Sequence, residues 1–134
     1  MTTTDAVSIA VTQFEKLEGA WNAADGAAFG APFADISDFV DIRGEHHHGD
    51  AALIGAGHQA LFDTMYSGST VHYHVDMARV VGPGVVVAFV SGTLEAPTGP
   101  LEGVTHSTIT AVLAEENERW AVTAFHNTVV VPPS

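Results

Sequence analysis

Residues 21–44 read WNAADGAAFGAPFADISDFVDIRG, and within them the chain is expected to pass from a helix end to a strand that carries a carboxylate, Asp41. Upstream, Val7, Val11 (with Ala10), Phe14, Leu17 and Trp21 recur at three- and four-residue spacing. That spacing predicts one apolar stripe on a helix from about Thr4 to Ala23, with Thr4 as N-cap and Asp5 in the first turn. A second, short helix is expected near Asp25, carrying Phe29 and Phe33. Gly26, Gly30 and Pro32 make it weak in isolation, so packing must hold it. From Asp38 to Arg43 the residues alternate as in a strand, Phe39, Asp41 and Arg43 on one face, Val40 and Ile42 on the other. Gly44 suits the turn that follows, and Glu45–His48 a short return strand.

Asp50 is placed to cap a third helix running to about Tyr66, with a stripe of Ile54, His58, Leu61, Phe62 and Met65. His58 therefore falls on its apolar side. From Ser69 onward the period changes from 3.6 to 2, giving four long strands at Ser69–Val81, Val85–Ala96, Gly103–Glu115 and Arg119–Val131. The separators Gly82-Pro83-Gly84, Pro97-Thr98-Gly99-Pro100 and Glu116-Asn117-Glu118 are turn chemistries short enough to make antiparallel hairpins. The Glu116–Glu118 hairpin admits two registers, which differ in the residues they set opposite one another. Three helices followed by these strands predict an α+β fold, in which a strongly curved, mostly antiparallel sheet wraps the helices. All 134 residues form one domain, with only the tail VVVPPS outside it.

Sixteen acidic residues face four basic ones, Lys16, Arg43, Arg79 and Arg119, for a net charge of −12. Clustered cations for phosphate contacts are missing, so neither nucleic acid nor an anionic membrane surface is an expected partner. No apolar run approaches the ~20 residues of a membrane span, and MTTTDAVS lacks the features of a signal peptide, so the cytoplasm is the expected location. The absence of cysteine excludes disulfides, thiolate metal sites and a cysteine nucleophile. No dinucleotide-binding glycine motif is present, and no cofactor is expected.

This order of elements resembles the nuclear-transport-factor-2-like superfamily, the cone-shaped fold of ketosteroid isomerase, scytalone dehydratase, limonene epoxide hydrolase and small SnoaL-like polyketide cyclases. The resemblance covers essentially the whole chain. Within it, Ala20-Trp21-Asn22-Ala23, Phe39-Val40-Asp41-Ile42-Arg43-Gly44-Glu45-His46, Gly57-His58-Gln59-Ala60-Leu61-Phe62 and Ala124-Phe125-His126-Asn127-Thr128 resemble the SgcJ/EcaC family. Members of that family occur in actinomycete natural-product clusters, enediyne clusters among them. The resemblance implies a pocket closed by the helices and the concave face of the sheet, and a homodimer through the sheet's outer face. It also implies an apolar, polyketide-derived ligand. Compared with ketosteroid isomerase, Asn22-Ala23-Ala24-Asp25 and Asp41-Ile42-Arg43-Gly44 keep the spacing that places Asp41 in the general-base slot. Leu17 stands where that enzyme has its oxyanion-holding tyrosine, so an enolate oxygen would lack its principal donor.

Read from the residues, Asp41 is either a general base, its pKa raised by burial beside Phe39, or an aspartate paired with Arg43 or a loop amide. His126 shares a strand face with Trp120, Val122 and Ala124 and should point inward, as a proton shuttle or as a core histidine bonded to a carbonyl; Asn127 then points the other way. His58 is either pocket-lining or a hydrogen-bonded core residue. Trp21, Phe39, Phe62 and Tyr73 are core residues or, where a cavity exists, its greasy substrate-binding wall. Arg79, on a face with Val75, Met77 and Val81, is a buried carboxylate partner or an interface residue. His46 and His48 share a strand face but fall short of the three or four ligands of a metal site, and no metal is expected; Asp50, Glu45 or His74 would have to complete it. Two functions follow: proton-transfer chemistry of the isomerase, dehydratase or cyclase type using Asp41, His58 and His126, or non-catalytic holding of the same molecule.

Overall fold

The computed structural model describes residues 5–133. Three helices, α1 (Ala6–Asn22), α2 (Gly26–Gly30) and α3 (Ala51–Phe62), pack in the concavity of one sheet. Its strands are β1 (Phe33–Val40), β2 (His46–Gly49), β3 (Thr70–Gly82), β4 (Val85–Ala96), β5 (Gly103–Glu116) and β6 (Arg119–Val129). The strand order is β2-β1-β6-β5-β4-β3, antiparallel throughout except for the parallel β1–β6 pair. This is the α+β architecture expected. Among the described residues, no helix is long and apolar enough to cross a membrane.

Several boundaries move, each for a local reason. Thr4 lies outside the described residues; Asp5 caps α1, accepting from the Val7 amide at 3.0 Å. The helix buries Ala10, Gln13, Phe14, Leu17 and Ala20, a stripe rotated away from Val7, which is 42% exposed. Phe33 belongs to β1 rather than to α2, and β1 stops at Val40. The strand stops because the Asp41 carboxylate takes the amides of Arg43 (2.9 Å) and Glu45 (3.0 Å), a side-chain turn that competes with the ladder. Gly44, at φ 84°, completes that turn. Helix α3 ends at Phe62, short of Tyr66, where a run of turns takes over. The glycines that weaken α2 are there for contact: a Cβ on Gly30 would collide with the Ala51 carbonyl oxygen of α3.

The core is built from Phe14, Leu17, Phe29 and Phe33 against Val86, Val90, Ile109, Leu113 and Val122, all essentially inaccessible. Edge strand β3 is covered by α1 in an ordered way. Asn22 donates to the Val71 carbonyl (3.1 Å) and accepts from the Val71 amide (2.7 Å), while Glu18 accepts from the Tyr73 amide (2.7 Å). Amides that an edge strand would leave open are thus satisfied from the helix. At the other end, β5 and β6 join through Asn117 and Glu118, both left-handed (φ 53° and 63°), as a two-residue hairpin loop requires. That loop sets Glu116 opposite Arg119.

Candidate functional site

The inward faces of β3–β6 meet the helices around a cavity of about 100 Å³. Its sheet wall includes Val71, Tyr73, Leu94, Thr105, Ser107 and Asn127; α1–α3 contribute Trp21, Phe29, His58 and Leu61; Asp41, Arg43, Met65, Tyr66 and Leu101 also border it. Gly92, between Tyr73 and Ser107 in the ladder, keeps that wall open, since a Cβ there would stand 2.7 Å from Ser107 Oγ. The volume is small beside the ~300–1,000 Å³ of ordinary ligand sites. It suits about one aromatic ring, judging by the ~150 Å³ cavity that accepts benzene in another protein. A larger ligand must displace Met65, Tyr66 or Leu101, which lie on connections rather than in helices or strands.

His58 is 8% exposed and set among aromatics. Phe29 stacks on its ring at 4.0 Å, and Phe39 meets it edge-on at 5.1 Å. Its Nδ1 lies 2.9 Å from the Ile54 carbonyl oxygen; a carbonyl only accepts, so Nδ1 carries the proton. Burial lowers its pKa to about 4, so at neutral pH the ring is uncharged and Nε2 is an acceptor. His58 is thus both of the things its sequence allowed, a hydrogen-bonded buried histidine and a lining residue of the cavity.

Asp41 borders the cavity from the turn after β1, not from the strand. One carboxylate oxygen holds the two loop amides and the other lies 3.0 Å from His47 Nε2. Burial pushes its carboxyl upward, but the bonds from His47 and from the amides of Glu45 and Arg43 outweigh it, and the pKa is lowered. The expected upward shift is therefore corrected: Asp41 is ionised and a weak base. Its loop-amide partner is the Arg43 backbone, and among the described residues the Arg43 guanidinium forms no ion pair.

His126 and Asn127 exchange the faces expected of them. The β5–β6 ladder pairs Leu113 with Val122 but Val112 with Ala124, so Thr123 is an extra residue, a β-bulge. Beyond it the alternation inverts. Phe125, Asn127 and Val129 line the cavity, whereas His126 is exposed on the outer face, beside Val40 and Thr110 in the ladder. The sequence did contain a hint: Val122 and Phe125, three apart, are both large and apolar, and both are buried.

Trp21, Phe39 and Tyr73 line the cavity as expected; Phe62 does not. It is buried behind the wall, 5.0 Å from Trp21 ring to ring. The Trp21 indole N–H is committed to Ser69 Oγ at 3.0 Å, and burial raises the Tyr73 pKa, keeping its hydroxyl protonated. Arg79 is exposed on the outer face opposite Val87, because a second bulge at Asp76 separates its face from that of Val75. Arg43, Tyr66, Thr105, Ser107 and Asn127 are lining residues that sequence reasoning did not select.

On the β1–β2 hairpin, His46 Nε2 and His48 Nδ1 both contact Asp38 Oδ1, at 2.7 and 2.8 Å. Both imidazoles are thus engaged by one carboxylate, Asp38. Asp41, Glu45 and His47 bring one ligand-type atom each within 4.8 Å of one another, and are the residues whose chemistry could hold a divalent cation.

No protein-family model matches the sequence, and no curated protein matches it. Solved structures do match in fold. A domain of unknown function with a cystatin-like fold from Nostoc punctiforme superposes with a TM-score of 0.85 at 27% identity, over 98% of this chain and 81% of that one. A candidate dehydratase of the nuclear-transport-factor-2-like family from Streptomyces avermitilis gives 0.73 at 12% identity, over 94% and 96%. A ketosteroid isomerase-like protein from Erwinia carotovora atroseptica gives 0.75 at 12%, over 93% and 96%. The chain therefore has the nuclear-transport-factor-2-like, or cystatin-like, fold, and its structural neighbours include proteins named for isomerase and dehydratase chemistry.

Proposed function

We propose that this chain binds a compact, largely apolar, polyketide-derived intermediate of secondary metabolism in the cavity and acts on it by proton transfer of the isomerase, dehydratase or cyclase type. The observation that carries the reading is the cavity itself. An aromatic and aliphatic wall surrounds a few polar groups, among them Asp41, His58 and Asn127, the usual composition of a small-molecule site. In this reading the ionised Asp41 receives the proton, and neutral His58 accepts a hydrogen bond from the ligand through Nε2. His126 has no part in it, being on the outer face. The resemblance to the SgcJ/EcaC family, whose members occur in enediyne clusters, favours the polyketide assignment.

A second reading, non-catalytic holding of the same molecule, is favoured by the depressed pKa of Asp41 and by Leu17 in place of an oxyanion-holding hydroxyl. Protein purified from a polyketide-producing host and analysed by native mass spectrometry and solvent extraction should carry a small apolar molecule. Asp41→Asn separates the two readings on that molecule. Loss of turnover by about 10²-fold or more, with binding retained, supports proton transfer. Unchanged conversion over buffer, with wild-type binding, supports holding.

A homodimer through the outer face of the sheet belongs to the same proposal. Met77, Phe89, Val87 and Val112 form neighbouring rows there, and Met77 is 55% exposed. Covering such a face is what a second copy of the chain would do.

A further inference from the structure

We infer that the Tyr73 and Ser107 hydroxyls, on either side of Gly92, form a donor pair for a carbonyl oxygen, and that the ligand of this cavity is a compact ketone or enone. The inference rests on the small-molecule reading above and deepens it. In the ladder Tyr73 of β3 stands opposite Gly92 of β4, and Gly92 opposite Ser107 of β5; both flanking side chains line the cavity. Gly92 has no side chain to part them. A Cβ there would stand 2.7 Å from Ser107 Oγ and 3.6 Å from Tyr73 Cδ1, so the serine hydroxyl and the edge of the tyrosine ring reach in over the glycine from its two sides. The fold uses neither hydroxyl. Tyr73 bonds through its backbone amide, to Glu18, and among the described residues neither its Oη nor Ser107 Oγ makes a hydrogen bond. Nor is either oxygen sealed, since the sealed side-chain atom without a partner is Asn127 Oδ1. An open hydroxyl on an apolar wall is satisfied by water or by what displaces it.

The pair is held in advance. Phe14 meets the Tyr73 ring edge-on at 5.3 Å, the bond to Glu18 fixes the strand beneath it, and burial keeps the phenol protonated. A carbonyl oxygen has two lone pairs, takes both O–H groups at once and brings no proton that would need an acceptor of its own. The acceptors of the cavity come from elsewhere, Asp41 from the turn after β1 and His58 Nε2 from α3. A ketone is therefore oriented with its oxygen on β3–β5. In the proton transfer proposed above, Asp41 takes a proton from the carbon beside that carbonyl. The C–H electron pair becomes the C=C bond of an enolate, and the carbonyl π pair moves onto the oxygen that the two hydroxyls hold. Leu17 leaves helix α1 without a donor for that oxygen, and the sheet supplies two.

Two probes of one shape test this directly: cyclohexanone, and methylenecyclohexane, in which CH2 replaces the oxygen. We would titrate both into the wild type, Tyr73→Phe and Ser107→Ala, reading affinities by protein-observed NMR and melting temperatures without ligand. Cyclohexanone should bind about tenfold more weakly to Tyr73→Phe and about threefold or more weakly to Ser107→Ala, the worth of a hydrogen bond. Methylenecyclohexane should stay within about twofold of its wild-type affinity in both. The carbonyl carbon of labelled cyclohexanone should resonate further downfield when bound to the wild type than when bound to Tyr73→Phe, a change that a purely structural tyrosine would not produce. A ketone affinity within about twofold of wild type in either variant, an equal loss for both probes, or an unmoved carbonyl resonance overturns the inference and leaves the cavity reading standing. So does binding of methylenecyclohexane alone to the wild type. A fall of more than about 5 °C in the melting temperature of Tyr73→Phe would show its hydroxyl to serve the fold, and likewise overturns the inference. Failure of both probes to bind the wild type removes the cavity reading and this inference with it.

Discussion

His58 ties the chemistry of the cavity to the stability of the fold. Its folded pKa of about 4 lies below the ordinary histidine value of 6.5, so between those values the unfolded chain binds a proton that the folded chain refuses. Stability from this group is complete above pH 6.5 and is lost as pH falls toward 4. At pH 5 the loss should reach about 2 kcal/mol relative to neutrality. Urea unfolding at pH 7 and pH 5 should show it in the wild type, and His58→Phe should flatten the difference; equal slopes in the two proteins would sink the assignment. Asp41 acts in a separate window. Its folded pKa lies below 3.8, so its contribution is present above that value and is lost as pH falls through the lower folded one. Asp41→Asn keeps an oxygen for the amides of Arg43 and Glu45, and should therefore retain the turn and test the chemistry alone.

At the scale of elements, the clamp from α1 to the β3 edge should be a structural necessity. Asn22→Ala removes both bonds to Val71 and should cost about 1–3 kcal/mol, with hydrogen exchange at the Val71 amide accelerating more than at Val90 in the sheet centre. Unchanged exchange at Val71 would mean that the clamp contributes nothing. Elements with a strong repeat were legible in the sequence: α1, α3 and the four long strands β3–β6 were predicted to within a few residues, and the helices-in-curved-sheet architecture with them. What escaped was set by contacts that periodicity cannot express. The extent of β1 depends on the bulge that sets Phe33–Asp38 against Val122–Ala124 and on Asp41 closing its own turn. The faces of His126 and Asn127 depend on one extra residue, Thr123, in a hairpin whose loop the sequence did locate. Lining residues such as Tyr66 and Leu101 come from connections, where no repeat points at anything.

For the whole molecule, the outer face of the sheet predicts association. Phe89→Glu places a charge in the row that joins Met77, Phe89, Thr110 and His126, and should convert a dimer to a monomer in light scattering while leaving the circular dichroism spectrum intact. A wild type that is already monomeric at high concentration would remove the dimer from the account. Electrostatics at this scale is plain: with a net charge of −12, the chain should repel anionic polymers and surfaces. The space between the helices and the concave sheet should admit a small apolar molecule. The most direct measurement is a methyl-labelled NMR titration with toluene, following Leu61, Val71, Leu94 and Val129, which line the cavity, against Val81 and Val104, which are exposed. Saturable shifts are expected in the first group and none in the second; no saturable shift in the first group up to the solubility limit would mean that the cavity does not admit such a molecule.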